Sequence, residues 1–467
     1  MEYLPDHLIL DILNRLTDSG DLARSRIACR SFNSLSRHVK FINLVCSSSR
    51  YLRSRSPATR SLTTPFKSIV RASIYGSIGS GAHLESISIG VEDVPELSYD
   101  NVGDDSGDDL YLTDVNFLRE WFPRVCEGLR ELSISDFWVQ SCWRRSHVLG
   151  LVSSYCHNLL RLDLKKAWLS VDGLTPLPKL TSLTLNFIRI DDEDLNKINT
   201  CFPSLQSLNL LGVGGLKDPK ISLLHLKTCQ WAVSNVPSSL SIYAPNLEKL
   251  KLRCVKPRSL ILQAPSLSDF SLSIVRADVY EVACLSNLRC LKLSSPNLCS
   301  FIEIFSPGSS VENLTLSSFW NKELNSEGNL TENTNPEVLF KSFPLINSLT
   351  VGPGALGFEF WFKGMGWGDQ TLDEISWLRE LVVYLTAFEI DITEPLISSV
   401  LSKTCNLKEM TILVHEDIDP KSVRSALSRL SRHWSQVRWK LGIWKKVEDT
   451  ESDPYGSEIV RQPQVFK

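Results

Sequence analysis

Pro178-Lys179-Leu180-Thr181-Ser182-Leu183-Thr184-Leu185 is followed by Pro203-Ser204-Leu205-Gln206-Ser207-Leu208-Asn209-Leu210. Both stretches are copies of one pattern, apolar-x-x-apolar-x-apolar, introduced by Pro or Asn. Earlier copies stand at Leu84-Ile87-Ile89, Leu129-Leu132-Ile134 and Leu159-Leu162-Leu164. Later copies stand at Leu247-Leu250-Leu252, Leu267-Phe270-Leu272, Leu288-Leu291-Leu293 and Val311-Leu314-Leu316. Weaker ones follow at Ile346-Leu349-Val351, Leu378-Leu381-Val383 and Leu407-Met410-Ile412, and Ile221-Leu224-Leu226 reads as a further copy in the gap after residue 210. In each copy the last two apolar positions alternate, as on one face of a short strand, and the first closes the preceding turn. One such strand cannot bury its apolar face alone, so neighbours must stack.

From Leu159 the starts step by 21 and 25 residues, and from Leu247 by 20, 21 and 23. This is the period of leucine-rich repeats, so residues 77–444 are expected to form a solenoid with short parallel strands. Longer units leave room for helices before the strand, as at Asp191–Asn199 and Pro395–Lys403. Shorter ones, in residues 240–300, leave room for only a turn. Cys126, Cys156, Cys201 and Cys405 each precede a repeat's first Leu and are expected to fill helix-to-strand corners as small apolar residues. Val437–Trp444 reads as a final strand with aromatic cover. Residues 445–467 are polar and are expected to be a disordered tail.

Outward toward the N-terminus the period changes. After Leu4-Pro5-Asp6, the residues Leu8, Ile9, Ile12, Leu13 and Leu16 recur at helical spacing. Asp18-Ser19-Gly20-Asp21 punctuates, then Leu22, Ala23, Ile27 and Ala28 make a second apolar series, and Phe32, Leu35 and Val39 a third, followed by Phe41, Ile42 and Leu44. A unit this small has to bury one face against a partner or the rest of the chain. The Leu4-Pro5 opening and Ala28-Cys29-Arg30-Ser31-Phe32-Asn33-Ser34-Leu35 resemble the F-box. There the later segment commonly reads Val-Cys-Lys-x-Trp-x-x-Leu, and Ala, Arg and Phe here keep the chemical type. Together with the repeats, the chain resembles the plant F-box/leucine-rich-repeat family. The expected organisation is an F-box at 1–45, a basic Ser/Arg-rich linker at 46–76, the solenoid and the tail; the fold class is α/β.

The resemblance implies docking of a Skp-family adaptor, which bridges to a cullin and a RING subunit, with Leu4, Pro5, Leu8, Ile9, Ile12 and Leu13 at the interface. It implies a non-catalytic substrate receptor of an SCF-type ubiquitin ligase, its repeats holding a protein target. Two alternatives stay open: a non-degradative F-box scaffold, and a repeat scaffold whose first helices are only a cap.

Composition agrees with an interaction protein. The chain has 467 residues, 43% of them hydrophobic, and a formal net charge of -3. That balance points to neither nucleic acid nor a membrane surface. Residues 1–76 hold an excess of Lys and Arg, a solvated face or a dock for an acidic partner. The N-terminus lacks the pattern of a secretory signal, so a nuclear or cytoplasmic protein with reduced thiols is expected, in which the sequons at Asn313 and Asn329 carry no meaning. No P-loop, nucleophile elbow, His-Glu-x-x-His or Cys-x-x-Cys is present, and no cofactor is expected. The acidic run Asp100–Asp109 lacks the spacing of a calcium loop and reads as a flexible insertion. Aromatic residues just beyond the strands stand out. Trp138 and Trp168 are candidate anchors for a target, as are Trp361 and Trp367 in the glycine-aromatic stretch Gly352–Gly368.

Overall fold

The computed structural model describes residues 4–16, 19–56, 58–79, 83–92, 108–233, 236–283, 285–295, 298–305, 310–317, 339–340, 342–353, 376–385, 397–398, 401–418, 420–446 and 458–465. They form two compact units, Met1–Leu226 and Lys227–Lys467.

The first unit opens with three helices, α1 (Asp6–Asn14), α2 (Ser19–Ala28) and α3 (Arg30–Leu35). Pro5 occupies the position before α1, where its missing N–H costs nothing, and its carbonyl accepts from Leu8 N and Ile9 N. Cys29 caps α3, its Sγ accepting from Phe32 N at 3.4 Å. Ile9, Leu13, Leu22 and Val39 form the small core of this module, with Leu16, Phe32 and Leu35 packed around it.

The sheet begins earlier than the repeat pattern indicates. Phe41–Cys46 is strand β1, parallel to β2 (Ser86–Val91), rather than the end of the helical module. Its Phe-Ile-Asn-Leu-Val-Cys sequence is rich in strand-favouring residues. The segment expected as a linker holds two helices, α4 (Ser48–Arg55) and α5 (Phe66–Gly79). The second is anchored: Phe66, Val70 and Ile74 are buried, and Asp109 caps it by accepting from Phe66 N and Lys67 N at 2.6 and 2.9 Å. Lys67 is itself buried, its Nζ 3.3 Å from Asp114 and above the Phe117 ring. Composition made this stretch look solvated, whereas its apolar residues follow a helical period.

The remaining strands of this unit are β3 (Glu131–Ser135), the short β4 (Arg145–Ser146), β5 (Arg161–Lys165), the short β6 (Trp168–Leu169), β7 (Ser182–Asn186), β8 (Ser207–Val213) and β9 (Lys220–Ser222). The main sheet runs β1-β2-β3-β5-β7-β8, all parallel where paired. The repeat leucines stack in register: Leu132, Leu162, Leu183 and Leu208 in one row, Ile134, Leu164, Leu185 and Leu210 in the next. All eight are buried, as are the turn-closing Leu129, Leu159, Leu180 and Leu205. Between β7 and β8 the expected helix is present at Asp192–Cys201, opened by a capping box between Asp191 and Asp194.

The second unit contains β10 (Thr228–Val233), β11 (Ser239–Tyr243), β12 (Lys249–Cys254), β13 (Ser259–Gln263), β14 (Asp269–Ile274), β15 (Val279–Val282), β16 (Cys290–Ser294), β17 (Asn313–Ser317), β18 (Ser348–Val351), β19 (Glu380–Leu385), β20 (Glu409–His415), β21 (Arg438–Lys446) and β22 (Glu458–Val465). Strands β10, β12, β14, β16 and β17 to β21 follow one another in parallel. In the short repeats the opposite side is not a bare turn: β11, β13 and β15 make a second narrow parallel sheet. Leu240 and Ile242 alternate with Ser239 and Ser241, the two-residue period of a strand with one buried face.

Ile221-Leu224-Leu226 is not a repeat copy, because Leu224 is exposed. The true copy is Leu226-x-x-Cys229-x-Trp231, whose Cys229 and Trp231 pair in register with Leu250 and Leu252. Trp231 is therefore core. Of the four corner cysteines, Cys126 and Cys156 are buried, Cys201 is half-buried and Cys405 is exposed, so the corner-filling role fails at Cys405. At the C-terminal end Trp444 is buried, donates from Nε1 to the Leu385 carbonyl at 3.2 Å and packs edge-on against Tyr384 and His415. Within the polar tail, Glu458–Val465 is a strand rather than a disordered segment. It pairs antiparallel with β21, whose free edge supplies the backbone partners.

Candidate functional site

Two surfaces come out of this architecture. The first is α1. Its apolar residues fall on two faces because positions four apart coincide on a helix while neighbours do not. Ile9 and Leu13 are 3% and 1% exposed, inside the module's own core. Leu4, Leu8 and Ile12 are 39%, 42% and 46% exposed, and Pro5 is exposed with them. The six residues expected at a single interface thus divide. Leu4, Pro5, Leu8 and Ile12 are open to a partner, while Ile9 and Leu13 are withdrawn from it because Leu22 and Val39 close over them. On α2, Ile27 is 87% exposed, a further open aliphatic that the apolar series 22–28 had grouped with buried positions.

The second surface is the edge of the first unit where β3, β5, β7 and β8 end. Asp136, Lys166 and Phe187 stand just after β3, β5 and β7, and Gly212, within β8, follows Leu211, the partner of Asn186. The first three amides donate to carbonyls of the next strand: Asp136 to Lys165 at 3.0 Å, Lys166 to Asn186 at 2.9 Å, Phe187 to Leu211 at 2.7 Å. Lys166, Phe187 and Gly212 all have positive φ, 58°, 51° and 62°. A Cβ at Gly212 would lie 2.8 Å from the Phe187 ring, so only glycine fits beneath it.

Asp136 instead turns inward. It is fully buried and accepts from Leu112 N, Thr113 N and the Thr113 hydroxyl. Burial pushes its carboxyl up to about 7, against the hydrogen bonds from Thr113 and Leu112 that favour the charged form.

One step farther along, Arg145, Trp168, Arg189 and Gly214 lie side by side through backbone pairing. The Arg189 guanidinium sits 4.6 Å over the Trp168 ring. Arg145 bonds the Leu169 carbonyl and Asp194, the latter at 3.1 Å. Trp138 is half-buried in a short helix, Trp138–Ser141, and Trp143 after it is 82% exposed. Trp168 thus stands beside Arg145 and Arg189 through pairing across repeats, while Trp138 lies in the short helix that follows β3. Trp361 and Trp367 lie outside the described residues. Among the described residues no group of three or more His, Cys, Asp or Glu could hold a metal ion, and no helix is long and apolar enough to cross a membrane.

Residues 118–271 match the family model for the repeats of "FBD-associated F-box protein At5g56370, LRR repeats". Over 448 residues the chain is 43% identical to the F-box/LRR-repeat protein At4g29420 of Arabidopsis thaliana, covering 95% of this chain and 98% of that protein. The chain belongs to the F-box/LRR-repeat family. A more distant relative, the F-box/LRR-repeat protein At1g67190 of the same plant, is 21% identical over 325 residues, 68% of this chain and 65% of the relative. The family-model match includes both the edge bearing Trp168 and Arg189 and the strands β10 to β12 of this F-box/LRR-repeat protein.

Proposed function

We propose that the protein is the substrate-receptor subunit of an SCF-type ubiquitin ligase. Its F-box docks a Skp-family adaptor, and through it a cullin and a RING subunit, while the repeats hold a protein target. The observation that carries this is the two-faced α1. A helix anchored by Ile9 and Leu13 that leaves Leu4, Leu8 and Ile12 open has surplus apolar surface of the kind a partner's groove takes up. The receptor performs no bond chemistry; it raises the local concentration of target beside a charged conjugating enzyme. The edge with Trp138, Trp143, Trp168 and Arg189 is the target-capture surface in this reading, since Trp and Arg dominate binding energy at interfaces. The protein acts in the nucleus or cytoplasm, where those partners operate, and needs no cofactor.

Co-purification with a Skp-family adaptor tests the docking. Loss of the adaptor on deletion of residues 1–44 supports it; retention refutes it. Recovery of the adaptor without cullin favours the non-degradative F-box scaffold instead.

A further inference from the structure

The narrow sheet of the second unit, β11-β13-β15, ends on a bare strand. Its apolar rows run in register, Leu240-Leu260-Tyr280 and Ile242-Leu262-Val282. The first two members of each row are buried, whereas Tyr280 and Val282 are half-exposed. On the other face Val279 is 49% exposed, and Glu281 is exposed beside it. The next repeat has a helix, Leu298–Phe305, in the stretch between β16 and β17 that corresponds to β15 between β14 and β16. Phe301 of that helix meets the Tyr280 ring edge-on at 5.3 Å, but a helix keeps its backbone groups for itself and pairs with no strand.

The hydrogen bonds fix which backbone groups are left over. Val279 N donates to the Arg258 carbonyl and Ala283 N to the Leu262 carbonyl, both at 2.9 Å. Successive residues of a strand turn their N–H and C=O groups to opposite sides, so Val279, Glu281 and Ala283 face β13, and the backbone groups of Tyr280 and Val282 face away from it. Among the described residues no strand pairs with that edge. Neither proline nor a bulge blunts it, and a bare edge is a template for pairing with another chain. Its charge is acidic: among the described residues Asp278 and Glu281 are exposed and in no ion pair.

We propose that an extended segment of a target protein adds to β15 as a further strand, with β-branched or aromatic residues beside Tyr280 and Val282 and a Lys or Arg beside Glu281. The added strand continues both apolar rows, takes up the outward backbone groups of Tyr280 and Val282, and sets a cation against the acidic edge. A second copy of this chain is the poorer occupant, because edge-to-edge pairing brings Asp278 and Glu281 of one copy against those of the other. That the segment belongs to a target rests on the receptor reading; the strand addition itself requires no adaptor.

The test uses the full-length chain and fluorescence anisotropy with labelled peptides in which Val alternates with Lys or with Glu. The Val-Lys peptide is expected to bind roughly tenfold tighter than the Val-Glu peptide, and Glu281→Lys should invert that order. Val282→Pro removes an outward N–H without touching the bonds to β13, and should weaken binding of the Val-Lys peptide roughly tenfold or more. Of two forms of that peptide N-methylated on alternate amides, one should bind like the parent and the other should not bind. Trp143→Ala, in the other unit, should leave binding unchanged. Absence of binding, equal binding of the two methylated forms, or indifference to Glu281→Lys or to a folded Val282→Pro variant each overturns the proposal. A dimer of the free chain that Val282→Pro abolishes also overturns it, since the occupant is then a second copy. Thermal melting shows which variants are folded; if Val282→Pro is not, the inversion at Glu281 and the methylated pair still decide. Adaptor co-purification is read separately, so failure of the receptor reading and failure of this edge give different results.

Discussion

Replacing Leu8 and Ile12 together by Ala separates the two faces of α1. Their exposed fractions, 42% and 46%, are what a partner has left to cover. Full burial of such a side chain is worth roughly 1.5–3 kcal/mol, so covering a little under half is worth about 1 kcal/mol each. The pair should therefore cost about 2 kcal/mol of adaptor binding, about thirtyfold in Kd. Stability should fall by about 1–2 kcal/mol, because each side chain is a little over half covered within the chain without belonging to the module's core. Leu13→Ala is the opposite case: at 1% exposed it should lower stability by about 2–5 kcal/mol. Titration calorimetry with a purified Skp-family adaptor and urea unfolding of the same samples give the two readouts. An adaptor affinity within twofold of the parent for the folded Leu8→Ala/Ile12→Ala variant refutes the assignment of this face.

Three further outcomes follow from the geometry. Gly212→Ala introduces a Cβ at positive φ against the Phe187 ring and should destabilise the first unit by about 1–3 kcal/mol in urea titrations, with part of the loss relieved by adding Phe187→Ala. At Asp136 the folded carboxyl is raised to about 7 from an unfolded value near 3.9, so its contribution is fully present below about pH 4 and is lost as pH rises through about 7. Asp136→Asn should remove that slope, and a stability difference between variant and parent that is constant from pH 4 to pH 8 contradicts it. Deleting residues 458–467 bares the edge of β21 and should promote self-association, seen as a concentration-dependent mass in light scattering.

The repeat period was legible because each copy spends its leucines on the same three inward positions, and the register then stacks Leu132 on Leu162, Leu183 and Leu208. Where a copy uses other residues the pattern fades. Cys229 and Trp231 occupy the leucine positions of β10, and the nearby Ile221-Leu224-Leu226 fits the spacing while leaving Leu224 outside. In α1 the period shows that positions 8, 9, 12 and 13 are apolar but is silent on which pair faces in. That is decided by Leu22 and Val39, whose approach is a tertiary fact. Strand β22 was hidden for a related reason, since its partner is an edge rather than a core. The stacking of Arg189 on Trp168 was beyond reach altogether, because the two are brought together by pairing across successive repeats.

That stacking also gives a reason for the backbone that precedes it. Lys166 and Phe187 hold left-handed conformations that cost an L-residue on the order of 1 kcal/mol each, and glycine, present at the equivalent Gly212, avoids this cost. The amide ladder from Asp136 to Phe187 compensates locally, but a glycine would keep the same hydrogen bonds without the strain. What glycine lacks is a side chain at the open edge. The turn sends the chain back into pairing two residues later, so that Trp168 emerges beside Arg189 in the Arg145-to-Gly214 row. Phe187 meanwhile lays its ring over Gly212. The strained turns and the aromatic-cationic row are thus parts of one arrangement. Lys166→Gly should therefore retain or raise stability in urea while leaving the Trp168–Arg189 stack in place. A stability loss above about 1 kcal/mol would mean that the Lys166 side chain, rather than its backbone geometry, holds this edge together.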